Sequence, residues 1–255
     1  MDKKRKLIEI RKKISNNIPS IGSWMQIPST SLAEILGDAG YYWIAVDLEH
    51  GSISVSQLPD IFRALEINNT LPLVRIAQGK LKDAKSALDA GAGGIIVPMI
   101  KSATELKEII DYSCWPPVGK RGVGFSRANM FGKYFDPNDE VSLKPLIIAQ
   151  IENIEAVDQI DEILQTEGLD SIIIGPYDLS ASMGITVEFS NSEFVDTTKK
   201  ILNSCSVNNI PCGFHIINPN KEELSMRIKD GYLFIAYSID GIMFSKISRN
   251  PNSKF

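Results

Sequence analysis

A (β/α)8 barrel with one helix ahead of it is the α/β fold this sequence predicts, and three observations carry the prediction. Eight short apolar runs bounded by turn residues recur along the 255 residues. Most are nearly continuous in apolar residues instead of alternating, as strands buried on both faces of a parallel sheet are. Segments with helical spacing separate them. A chain of this length suits one barrel, so residues 1–255 are read as a single domain.

The elements follow in order. The basic start "MDKKRKLIEIRKK" reads as a solvated amphipathic helix. The strands are "IGSWMQI" (21–27), "YYWIAVDLE" (41–49), "LPLVRI" (71–76), "GGIIVPMI" (93–100), "PLIIAQIE" (145–152), "SIIIGP" (171–176), "IPCGFHII" (210–217) and "YLFIAYSI" (232–239). Between them, "STSLAEILGDAG" has Ser/Thr caps at its start and Gly at its end. "AKSALDAGA" and "SATELKEIIDYS" also have helical spacing. "NIEAVDQIDEILQTEG" places Ile154, Val157, Ile160 and Ile163 or Leu164 on one face of a continuous helix. A doubly wound open sheet is the alternative, but no Gly-rich nucleotide fingerprint follows the first strand. The connection from Cys114 to Leu143 is long for a barrel and is read as a lid or a wall of the site.

Charge and composition narrow the function. A net charge of -4 and a pI near 5.4 argue against a nucleic-acid or anionic-membrane partner. No apolar stretch follows the basic start as a secretory signal requires, and no window approaches a membrane span. Cys114, Cys205 and Cys212 have no metal-ligand spacing and read as reduced thiols, so a cytoplasmic protein is expected.

In such a barrel the chemistry gathers at the C-terminal ends of the strands. Asp47, Glu49 and His50 end the second strand, Arg75 the third, and Gln150 and Glu152 the fifth; Asp178 follows the sixth, and His215 lies in the seventh. Glu152 and Asp178 stand on adjacent strands, where two carboxylates repel unless a cation lies between them. All-oxygen ligation favours Mg²⁺, with Mn²⁺ or Co²⁺ as alternatives, and two protein ligands leave positions for substrate. In "GPYD" the backbone N–H groups of Tyr177 and Asp178 open a short helix and suit an anion such as a substrate carboxylate. Arg75 supplies a fixed positive charge beside them.

These stretches together resemble the metal-dependent pyruvate aldolases of the HpcH/HpaI group: "DLEHG" (47–51), "VRI" (74–76), "LDAGAGGIIVPM" (88–99), "PPVGKRGVGFSRA" (116–128), "QIEN" (150–153) and "GPYDLSASMG" (175–184). The resemblance implies reversible cleavage of a 4-hydroxy-2-oxo acid to pyruvate and an aldehyde through a metal-stabilised enolate. It implies Glu152 and Asp178 as metal ligands, and His50 as general acid/base paired with Asp89. It further implies Arg75 as the group on the pyruvate carbonyl, Gln150 as a pyruvate contact, and the amides of Tyr177 and Asp178 as the carboxylate cradle. Asp47 and Glu49 are implied partners of waters around the metal. A homo-oligomer, hexameric in relatives, is also implied.

Three departures stand out. Tyr177 is bulky where relatives carry a small residue, Lys101 directly follows the fourth strand, and the tail after Gly241 is shorter than the relatives' final helix, which bears on the hexamer. One rival is a Schiff-base aldolase using Lys101. Another is a lyase or decarboxylase acting on a related oxo acid or acyl-CoA with the same metal chemistry.

Overall fold

The computed structural model describes residues 1–250. Eight parallel strands close in chain order into a barrel, β8 pairing back onto β1. They are β1 (Ser20–Met25), β2 (Trp43–Asp47), β3 (Leu71–Arg75), β4 (Gly94–Val97), β5 (Leu146–Ile151), β6 (Ser171–Ile174), β7 (Cys212–Ile216) and β8 (Phe234–Ile239). All eight expected strands are present, each shorter than its apolar run because the run continues into the loop.

Helix α1 precedes the first strand, and the main helices between strands run back along the outside, from the C-terminal to the N-terminal end of the strands. In order they are α1 (Lys3–Ser15), α2 (Thr30–Asp38), α3 (Leu58–Ile67), α4 (Leu81–Asp89), α5 (Ala103–Ser113), α6 (Glu140–Leu143), α7 (Ile154–Asp158), α8 (Ile160–Leu164), α9 (Pro176–Ser182), α10 (Ser192–Asn208), α11 (Lys221–Asp230) and α12 (Asp240–Ile247). Side-chain caps start several of them: Ser29 accepts from the Leu32 N–H at 3.2 Å, and Ser102 from that of Glu105 at 3.3 Å. The tail beyond Gly241 continues helix α12; its last five residues, 251–255, lie outside the described residues.

The apolar side chains form two layers. Trp24, Trp43, Leu73, Ile96, Ile148, Ile173 and Phe234 fill the barrel interior, and Leu7 and Ile10 of α1 close it from below. Trp43 stacks on Phe234 with centroids 4.3 Å apart. Gly22 makes this possible, because a Cβ there would meet the Trp43 ring at 2.1 Å. The second, larger layer lies between strands and helices and includes Val46, Phe62, Val74, Ile147, Ile174 and Phe214. A barrel filled in this way is a packed core, leaving its strand ends for chemistry.

Three expectations are corrected. The basic start is helical and amphipathic, but its charges are not all solvated: Arg11 pairs with Asp170 at 2.7 Å, and Lys6 is buried with its ammonium over the Tyr42 ring. It is the plug of the barrel. The helix expected over 153–168 breaks at Gln159 into α7 and α8, although Val157, Ile160, Ile163 and Leu164 are all buried as the spacing requires. The segment from Cys114 to Leu143 is neither lid nor wall of this chain's site. It follows the C-terminus of α5, which lies at the N-terminal end of the strands, and it stays at that end. Arg121 there pairs with Asp89 at 2.5 Å, Arg127 with Glu66 at 2.7 Å, and Asp139 with Lys4 at 2.8 Å.

Candidate active site

The ends of β2, β3, β5 and β6 supply the charged groups of the site. Asp47 closes β2 and is fully buried, so its charge must be met by donors. It has five. Oδ1 accepts from Arg75 Nε at 2.9 Å and from the N–H groups of Glu49 and His50 at 3.0 and 3.3 Å. Oδ2 accepts from Arg75 Nη2 at 2.6 Å and Gln26 Nε2 at 2.7 Å. Burial alone would raise this carboxyl, but the Arg75 hydrogen bonds and charge, with the Gln26 amide and His50 N–H, outweigh it and hold the pKa below the ordinary value. Burial would likewise lower Arg75, and Asp47 and Glu49 reverse the shift. Nη1 of Arg75 stands 3.0 Å from Glu49 Oε2. Beneath the guanidinium lies the Trp24 ring, 5.3 Å away, itself stacked on His215 at 4.5 Å. His215 is buried and held down to about 3 by burial and by the Arg75 charge, so it is a neutral floor of the site.

Glu152 follows β5 and is 2% exposed. Its Oε1 accepts the Met99 N–H at 2.6 Å, and its Oε2 accepts from Gln150 Nε2. Burial pushes it up to about 7 against the Met99 hydrogen bond, and the negative charges of Glu49 and Asp178 add to the rise. Burial also raises Glu49, against Arg75 and His50 and together with Asp47 and Asp178. Asp178, in the first turn of α9, is exposed, as is His50. Three carboxylates therefore face one another across β2, β5 and β6 with Arg75 as the cation among them.

These residues fit a divalent cation. Burial makes the ionised form of Glu152 costly, a cost that a cation would offset, and Gln150 Oε1 is buried without a hydrogen-bond partner. Gly175 keeps the approach open, since a Cβ there would stand 2.9 Å from both Gln150 Nε2 and Glu152 Oε2. Among the described residues no group of three or more His, Cys, Asp and Glu side chains could hold a metal. The fit is to a two-carboxylate site that leaves coordination positions to water and substrate. At α9 the first helical hydrogen bond runs from the Leu179 N–H to the Gly175 carbonyl, so the N–H groups of Tyr177 and Asp178 precede the helical ladder. The Tyr177 ring packs edge-on against Phe189 at 5.1 Å.

Of the residues expected from the sequence, His50, Arg75, Gln150, Glu152, Tyr177 and Asp178 lie at the C-terminal ends of the strands. Asp89 does not. It is the last residue of α4, at the opposite end of the barrel, and is paired with Arg121, so the expected His50–Asp89 pair does not form within the chain. The reason is the antiparallel course of every barrel helix. Asp47 and Glu49 are engaged by Arg75. Lys101 is part exposed and paired with Glu155 at 3.1 Å, the reverse of the desolvated amine a Schiff base requires. Gln26, Trp24, Met99 and Gly175 belong to the site and were not singled out in the sequence. Gln26 had a signal, a polar side chain closing an apolar run; Met99 had none, since it contributes a backbone N–H from a left-handed conformation (φ 55°). A cavity of about 710 Å³, lined by Lys3, Trp115, Arg127 and Tyr134, lies at the far end and includes none of these residues.

Comparison with known proteins places the chain in a family. The profile of the family described as HpcH/HpaI aldolase/citrate lyase matches residues 20–246. A hydroxypyruvate/pyruvate aldolase of Roseobacter denitrificans is 30% identical over 247 residues, 96% of each chain. A 4-hydroxy-2-oxovalerate aldolase of Novosphingobium aromaticivorans is 32% identical, covering 89% of this chain and 86% of its own. The crystal structure of an HpcH/HpaI aldolase/citrate lyase family protein from Burkholderia cenocepacia superposes with a TM-score of 0.88 at 26% identity, over 94% of this chain and 96% of the other.

Proposed function

This chain belongs to the HpcH/HpaI aldolase/citrate lyase family, and from that premise we propose that it is a divalent-metal-dependent aldolase cleaving a 4-hydroxy-2-oxo acid to pyruvate and an aldehyde. The observation that carries the reading is the buried Glu152 beside Asp178 and Glu49, a carboxylate held in reserve for a cation and set next to Arg75.

Glu152 and Asp178 would hold a divalent cation, with Mg²⁺ the first choice and Mn²⁺ or Co²⁺ alternatives, and it would supply Lewis-acid charge toward the substrate carboxylate and 2-oxo group. The chain supplies the rest. The N–H groups of Tyr177 and Asp178 receive the carboxylate. Gln150 donates to Glu152 through Nε2 and has Oε1 to spare for the oxo acid or its water. Arg75, fixed through Asp47, presents Nη1 to the 2-oxo oxygen, where negative charge grows as the C3–C4 bond breaks. His50, exposed at the rim, takes the proton from the C4 hydroxyl; the C3–C4 electron pair moves to C3, and the aldehyde leaves. Protonation at C3 completes pyruvate. In the reverse direction a methyl proton is removed from pyruvate and the resulting enolate adds to the aldehyde.

A panel of 4-hydroxy-2-oxo acids scored by pyruvate release, with and without chelator, tests this reading and identifies the aldehyde. Pyruvate release from at least one member that stops on chelation and returns with Mg²⁺ or Mn²⁺ is the expected result. Full release after exhaustive chelation is the contrary one. The exposed Phe125, Phe131, Phe244 and Ile247 side chains support the homo-oligomeric expectation, which sedimentation checks.

A further inference from the structure

We propose that Gln26 is a positioning residue for Arg75, acting as the link through which the β1–β8 seam sets the angle of the guanidinium. The proposal rests on the aldolase reading only in taking Arg75 as a group that acts on substrate.

Asp240 begins this chain of contacts. It follows β8 directly, is 3% exposed, and accepts the Gln26 N–H with both oxygens at 3.0 and 3.1 Å. Its Oδ2 also accepts the Ile27 N–H at 3.0 Å. These bonds fasten the end of β1 just beyond the point where the β1–β8 register shifts, between Gly22 and Trp24. With its backbone fastened, Gln26 reaches over β2 and donates to Asp47 Oδ2 at 2.7 Å. The other four donors to Asp47 come from β3 or from the turn after β2: Arg75 twice, Glu49 and His50. Gln26 is the contribution from another part of the barrel, and it bonds the same oxygen that holds Arg75 Nη2. It therefore fixes the rotation of the carboxylate plane, and through the two-pronged Asp47–Arg75 pair that of the guanidinium plane. Trp24, from the same strand, supports the face of that plane from below. β1 thus constrains Arg75 at its edge through Gln26 and at its face through Trp24, leaving Nη1 aimed toward Glu49 and the site.

Gln26→Leu, which keeps length and loses the donor, and Gln26→Glu, which keeps shape and repels Asp47, test this in both wild-type and Arg75→Lys backgrounds. Loss of angular control at a group that must meet the reacting atoms lowers turnover. Gln26→Leu is expected to reduce kcat about tenfold with KM little changed, and Gln26→Glu more. In the Arg75→Lys background, where no fork remains to be aligned, the further loss is expected to be under about twofold, because residues acting as one unit are not additive. The ¹⁵N-edited signal of the Arg75 Nε–H, assigned by its loss in Arg75→Lys, is expected to exchange faster with water in Gln26→Leu. That readout needs no substrate, so it decides the positioning claim even if the aldolase reading fails. An equal tenfold loss in both backgrounds, or an unchanged Nε–H exchange rate, overturns the proposal.

Discussion

At 2% exposure Glu152 meets two donors and the fields of two further carboxylates, and burial pushes it up to about 7. Arg75, equally enclosed, keeps its charge because Asp47 takes two of its N–H groups in parallel. In the proposed reading the two residues divide the work, one reserved for a cation and one fixed as a cation. An ammonium cannot hold the Asp47 fork and still present a further donor, so Arg75→Lys is expected to lower turnover by ~10²–10³. Steady-state kinetics checks this, and near-normal kinetics would make Arg75 a structural pair. His50→Ala is expected to lose aldol cleavage by ~10²–10⁴, since the C4 hydroxyl proton has no acceptor. Oxaloacetate decarboxylation has no such proton and should survive much better in the same protein; equal loss of the two activities would remove the role assigned to His50. At this scale the sequence was legible wherever a polar side chain ended an apolar run, as with Arg75, Gln150 and Glu152. It was silent on Met99, which acts through a backbone N–H, and on the end of the barrel at which Asp89 lies, since the direction of α4 sets that and keeps it from His50 of the same chain.

β6 and α9 show how an element makes room for the site. Gly175 caps α9 at the point where the chain leaves the barrel wall, and Pro176 begins the helix without needing an acceptor for an N–H. A Cβ at 175 would press on Gln150 Nε2 and Glu152 Oε2 at 2.9 Å. Gly175→Ala should therefore fold, since φ at this position is −93° and open to any residue, yet bind Mn²⁺ at least about tenfold more weakly through displacement of the carboxylate. Calorimetric titration reads the difference, and unchanged affinity would mean that Glu152 is not a ligand. The strands were legible because burial on both faces leaves an unbroken apolar run that no surface helix has. The break between α7 and α8 was not, because the apolar spacing runs through Gln159 unaltered while the backbone does not. The 114–143 segment misled for a related reason. Its length says that it is a feature, and only the direction of α5 says at which end of the barrel it lies.

If Glu152 is a ligand as proposed, cation, proton and stability are coupled through it. A carboxyl raised from its ordinary value of 4.5 to about 7 favours the protonated form in the fold. Its contribution to stability is full below pH 4.5 and is lost as pH rises through about 7. The metal-free protein should therefore lose melting temperature across that window, and Glu152→Gln should flatten the loss. A divalent cation selects the ionised form, so the rise in melting temperature that it produces should shrink as pH falls below about 7. A thermal scan series at several pH values, with and without Mg²⁺, checks both statements. Among the described residues no helix is long and apolar enough to cross a membrane. The most direct test of the central claim needs no aldehyde at all: incubate the protein with pyruvate in D₂O and follow the methyl signal by proton NMR. Methyl-proton exchange is expected to require Mg²⁺ or Mn²⁺, to stop with chelator, and to be lost in Glu152→Gln. Exchange that continues undiminished after exhaustive chelation, or that never occurs with cation present, would contradict the claim.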